Sequence, residues 1–123
     1  MLYSLDDLQH PITDVPHARE YHVWRDRLTK QQYDEIVAKL NELVDGDEVH
    51  TSSWMPGSNW SGTPFQPIWE FACAKNVDAA AKCFGLILWE VMMARSEDWS
   101  FDRFEKNNVP IEGLTYFRIH RRP

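Results

Sequence analysis

The sequence is poor in the features that would place it quickly. It has only two cysteines, Cys73 and Cys83, among 123 residues. Neither lies in a CxxC pair or at a zinc-type spacing. Both fall within apolar helical patterns, where a free cysteine behaves as a small hydrophobe. A chain of this length buries roughly two thirds of its unfolded surface, so it needs neither a disulfide nor a metal to fold. A reducing compartment follows, and the expected location is the cytoplasm.

Long apolar runs are also missing. The longest, Phe84 to Trp89, is far too short to span a bilayer, so no membrane partner is expected. Met1 to Asp7 has no charged region followed by an apolar one, and no signal peptide is expected. Positive charge is in deficit: 13 Lys and Arg against 19 Asp and Glu give a formal net charge of −6. The only basic cluster, Arg118 to Arg122, is short. Nucleic-acid binding relies on clustered Lys and Arg, so no nucleic-acid partner is expected. There is no internal repeat, no low-complexity tract and no phosphate-binding fingerprint. G-S-N-W-S-G, residues 57–62, has no lysine, and no cofactor is expected.

What is abundant is tryptophan, with six residues. Trp carries a large apolar area and one N–H donor, which suits both cores and binding surfaces. Hydrophobic residues make up 43% and charged residues 26%, values of an ordinary globular chain. One α+β domain is expected across residues 1–123, with a central buried helix packed on an antiparallel sheet that includes a C-terminal β-hairpin. Residues 1–20, with Pro11 and Pro16, read as an irregular N-terminal arm.

The elements follow from periodicity. Thr29 reads as the N-cap of a helix to about Val44, with Tyr33, Ile36, Val37, Leu40 and Leu43 on one stripe and Gly46 as the stop. Glu48 to Trp54 reads as a strand that places His50, Ser52 and Trp54 on one face. Pro67 opens a helix to about Lys75, and Asn76 caps a further helix to about Ala94. The latter is apolar almost all round, broken only by the line Asp78, Lys82, Glu90, and is expected to be the core. Trp99 to Phe104 and Gly113 to His120 alternate as two strands, with Asn107, Asn108 and Pro110 supplying turn chemistry between them.

The segment Trp54 to Pro67 holds three prolines, two glycines and two tryptophans. Pro and Gly constrain its backbone, which lowers the ordering loss on binding. Trp54 and Trp60 can flank a ligand with flat faces, while Asn59, Ser61 and Thr63 offer hydrogen bonds. Together with His50 and Ser52 on the adjoining strand, these form the expected ligand-binding residues. The competing expectation is that the segment folds onto the core as scaffolding.

Catalytic readings are weaker. His50 and Ser52 or Ser53 do not form a nucleophile pair, because residues two apart on a strand lie roughly 7 Å apart. No Gly-x-Ser-x-Gly elbow is present. His10, His17 and His22 with Asp14 and Glu20 lack the spacing of a one-face helical metal pair, and no metal is expected. Glu70 and Glu90 lie within apolar helices, where a carboxylate either titrates high or pairs with a cation. The leading expectation is therefore a non-catalytic binding module for a protein or small molecule. The second is a small hydrolase or transferase with His50 as base and Glu70 or Glu90 in support. The third is a homo-oligomeric structural protein.

Overall fold

A computed structural model describes residues 1–45, 49–51, 61–102, 105–106, 109–110 and 114–120. Helix α1 spans Ala18–Asp26 and α2 spans Lys30–Val44. Strand β1 is Val49–Thr51, a π-helical turn covers Ile68–Ala72, and α3 spans Val77–Ala94. Strands β2 (Trp99–Asp102), β3 (Glu105–Lys106), β4 (Val109–Pro110) and β5 (Thr115–Arg118) follow.

The α+β architecture and the buried helix are as the sequence implies. In α3, Ala80, Cys83, Phe84, Leu86, Ile87, Leu88, Trp89, Val91 and Met92 are all buried. Asn76 caps it, its side chain accepting from the Ala79 N–H at 3.0 Å. Thr29 caps α2 in a reciprocal box: its hydroxyl accepts from the Gln32 N–H at 3.1 Å, and the Gln32 amide oxygen accepts from the Thr29 N–H at 2.9 Å. The buried stripe Ile36, Leu40, Val44 lays α2 on α3. Arg95 ties the far ends of these helices together, reaching Asn41 Oδ1 at 2.8 Å, Asp45 Oδ1 at 2.6 Å and Glu97 Oε1 at 2.7 Å. Gly46, the expected stop of α2, lies outside the described residues.

The irregular arm is shorter than expected. It ends at His17, which enters α1 in a left-handed conformation at φ 53°. Tyr21, Trp24 and Leu28 then face the core at helical spacing. Pro16 lies two residues ahead of this helix, where it costs no helical hydrogen bond. Nor is the arm peripheral at its beginning, since Leu2 and Tyr3 are buried. Leu2 bridges Trp99 in parallel: Tyr3 N donates to Trp99 O, and Trp99 N to Met1 O, both at 2.8 Å.

The main sheet has the order β1-β5-β2, antiparallel throughout. Trp99 pairs with Arg118 and Asp102 with Thr115, which is the expected C-terminal hairpin, with β5 ending at Arg118. Beyond it, β3 pairs with β4, Lys106 opposite Val109. Asn107 and Asn108 lie outside the described residues. The sheet meets α3 through aromatic rings, with Trp89 and Phe101 centroids 4.7 Å apart and Phe101 and Tyr116 6.4 Å apart. Alternation is imperfect because both faces of β2 are covered at its start: Trp99 and Ser100 are both buried, and the Ser100 hydroxyl donates to Tyr3 O at 2.8 Å. Among the described residues, no helix is long and apolar enough to cross a membrane.

Candidate functional site

Of the expected ligand-binding residues, Ser52, Trp54, Asn59 and Trp60 lie outside the described residues. His50 sits in β1, paired with Tyr116 of the central strand. Its side chain also lies outside the described residues. Ser61 is exposed and Thr63 half-buried. Thr63 is engaged in the local turn, its hydroxyl accepting from Phe65 N–H at 3.2 Å. Gly62 adopts φ +75°, a conformation glycine favours, and its N–H donates to Gln66 Oε1 at 3.3 Å. Phe65 is buried edge-on against Phe84 of α3, with centroids 4.9 Å apart. Both flanks of the Trp-rich segment are thus fixed, one to the central strand and the other to the central helix.

The stretch after Pro67 is where the structure adds most. A helix is expected to Lys75, but the chain makes a π-type turn, with Cys73 N–H bonding Ile68 O at 3.0 Å across five residues. Such turns are rare and recur at functional sites. Ala74 and Lys75 follow in left-handed conformations at φ 49° and 65°. For residues with a Cβ this stores strain. Phe71 on the turn is 50% exposed. Trp69 is half-buried, and its Nε1–H is buried without a hydrogen-bond partner among the described residues. The Lys75 ammonium stands 5.9 Å from the Trp69 ring centroid. An exposed ring, an unspent donor and a strained backbone therefore sit together directly downstream of the Trp-rich segment.

No family model, curated protein or solved structure matches this chain. The chemistry of the site accordingly rests on its own residues.

The two nominated carboxylates are engaged in bonds of different kinds. Glu70 accepts from Gln66 Nε2 at 2.9 Å. Glu90 is a hub between helices: Arg25 Nη1 reaches Oε1 at 3.0 Å, while the hydroxyls of Tyr33, at 3.1 Å, and Tyr21 donate to Oε2. The Arg25 guanidinium also stacks 4.1 Å from the Tyr33 ring centroid. This is the ion-pair outcome for Glu90, with two phenols completing its coordination. The histidines stay dispersed, His10 pairing with Asp7 at 3.1 Å. Among the described residues, no three His, Cys, Asp or Glu gather to hold a metal.

The hub makes a pH prediction. Burial, reinforced by Glu90, raises the Tyr21 phenol above its ordinary value, and burial with the Glu90 charge raises Tyr33. Burial raises Tyr116 as well. An acid whose folded pKa exceeds its unfolded pKa leaves stability intact below the unfolded value, about 10 for Tyr. Above it the unfolded chain sheds protons that the folded chain keeps, so stability falls. Melting temperature should drop steeply once pH passes about 10, and Tyr21→Phe should flatten that drop. Equal alkaline slopes for parent and variant would refute a role for the hub.

Proposed function

We propose that this chain is a non-catalytic binding module, and that a protein or small-molecule partner docks on the Trp54–Pro67 segment and the π-helical turn that follows it. The observation that carries this reading is the half-exposed Phe71 beside the unpartnered indole N–H of Trp69, on a turn packed against α3. A large ring held in solvent on a fixed scaffold loses little entropy on docking, and aromatic anchors dominate binding energetics. The net charge of −6 suits a neutral or basic partner better than a polyanion. Two free, buried cysteines suit a cytoplasmic setting.

Paired substitutions test the reading. If the segment is the docking surface, Trp60→Ala should melt close to the parent, as Phe71→Ala should, because truncating an exposed ring removes little buried area. Affinity capture from the source cell, followed by mass spectrometry, should then recover a partner with the parent and lose it with both variants. A Trp60→Ala protein destabilised by about 3–5 kcal/mol would instead make the segment core scaffolding. Self-association lost in the Phe71→Ala variant, read by light scattering, would make the partner a second copy of the chain.

A further inference from the structure

Strand β2 is joined unequally on its two sides. On the inner side it pairs with β5 along its whole length, from Trp99 to Asp102. On the outer side only Trp99 is paired: its N–H donates to Met1 O and its carbonyl accepts from Tyr3 N–H, both at 2.8 Å. The polar groups of an antiparallel strand alternate from side to side, residue by residue. Ile119 N–H donates to Asp98 O at 3.0 Å, so Asp98, Ser100 and Asp102 aim their groups at β5. Trp99 and Phe101 aim theirs outward. The first segment does not follow the strand as far as Phe101. After Tyr3 it turns back, with Asp7 N–H donating to Ser4 O at 3.1 Å, and Tyr3 O accepts from the Ser100 hydroxyl at 2.8 Å. Among the described residues, the N–H and C=O of Phe101 therefore meet no further strand.

A cleft opens at this point. Ser4, Leu5, Asp6, Phe101, Asp102 and Leu114 line a space of about 380 Å³. Its apolar wall is Leu5, 49% exposed, together with the half-buried Phe101 and Leu114. The Phe101 ring is held against Trp89, centroids 4.7 Å apart, which fixes the wall on the α3 side. The charges of the cleft are of one sign. Asp6 and Asp102 are both exposed, and among the described residues no Lys, Arg or His lines it. Phe101 and Asp102 are consecutive in the strand, so their side chains leave the sheet on opposite faces. One face of this edge is thus apolar and the other acidic.

We propose that the outer edge of β2 at Phe101 is a strand-addition site for an extended basic segment of a partner protein, in which apolar residues alternate with Lys or Arg. The backbone of that segment exchanges hydrogen bonds with Phe101 N–H and C=O, taking the place beside β2 that the first segment leaves at Ser4. Main-chain bonds of this kind give affinity, and alternate side chains give selectivity. Apolar residues of the segment lie on the Phe101 face, against Leu5 and Leu114. The intervening cations lie on the Asp102 face. The net charge of −6 draws the same class of partner from a distance. None of these residues belongs to the Trp54–Pro67 segment or to the turn after it, so the site stands whether or not a partner docks there.

The test reads hydrogen exchange at single amides of the full chain by NMR, with a capped peptide of alternating valine and lysine as the probe. In the free chain the Phe101 amide should exchange much faster than that of Trp99, whose N–H is already bonded. Saturating peptide should slow exchange at Phe101 at least about tenfold. The double variant Asp6→Asn, Asp102→Asn should weaken binding at least about fivefold, and high salt should weaken binding to the parent. Both carboxylates are exposed, so the variant should melt with the parent, and the measurement at Phe101 in the parent needs no variant at all. The same peptide N-methylated throughout keeps its charge but has no backbone donors, and should leave Phe101 exchange unchanged. A Phe101 amide as protected as Trp99 in the free chain would show the edge already closed and overturn the proposal. So would a valine–glutamate peptide binding as well as the lysine one, undiminished binding of the N-methylated peptide, or no slowing at Phe101. Protection that rises with protein concentration alone would assign the edge to a second copy of the chain, and would overturn it too.

Discussion

Leu88→Asp should abolish folding. Leu88 is fully buried near the middle of α3, among Phe84, Ile87, Val91 and Met92. Truncating a buried leucine costs about 2–5 kcal/mol through lost transfer energy and the cavity left behind. A carboxylate in the same place adds several kcal/mol, because an unpaired charge in that apolar cluster is not solvated. A domain of this size has about 5–15 kcal/mol in total, so the sum removes most or all of it. The control is Leu88→Ala, which should fold with a lowered denaturation midpoint. A soluble Leu88→Asp protein with a cooperative urea transition would show that α3 is not the core.

Trp99→Ala should be the most damaging single truncation in the sheet, at about 3–5 kcal/mol. The ring is 1% exposed, and it is the largest fully buried side chain among the described residues. Its Nε1–H donates to Glu97 Oε1 at 3.4 Å, and the Arg118 guanidinium stands 5.6 Å from the ring centroid across the β2–β5 pair. The variant therefore opens a cavity and withdraws a cation–π contact from Arg118, whose buried Nε already lacks a hydrogen-bond partner among the described residues. Urea denaturation reads the loss directly. Trp99→Phe should recover more than half of it, since most of the apolar volume returns. A loss below about 1 kcal/mol for Trp99→Ala would mean the surrounding side chains collapse into the space.

Features set by local chemistry were readable from sequence. Thr29 and Asn76 are small polar residues ahead of apolar periodicity, and each caps its helix because the free N–H groups of a first turn leave few other solutions. The near-continuous apolar surface of α3 could only be buried. The strand pair ending the chain was visible as alternation, though β5 stops short of the expected limits. What escaped depends on partners far along the chain. Helix α1 was obscured by Pro16, although Tyr21, Trp24 and Leu28 carry the spacing. The π-type turn has no signature, because one extra residue per turn barely changes a five-residue pattern. Glu90 gave no sign that Arg25, Tyr21 and Tyr33 would converge on it from two other helices. For the Trp-rich segment, the expectation at Ser52, Trp54, Asn59 and Trp60 rests on sequence alone.

The bridge between Leu2 and Trp99 also constrains the order in which the molecule can be completed. Trp99 is made 97 residues after Leu2, roughly 5–20 s later at ordinary synthesis rates. Helices α1 and α2 rest on local contacts and can form in that interval. The first segment cannot, because the strand it lies against does not yet exist. An apolar pair, Leu2 and Tyr3, therefore waits in solvent until the last quarter of the chain arrives. Closing so long a loop is slow, and it makes docking of the first residues a late event in folding. During that wait the segment stays unpaired, and its apolar side chains are open to association with other chains.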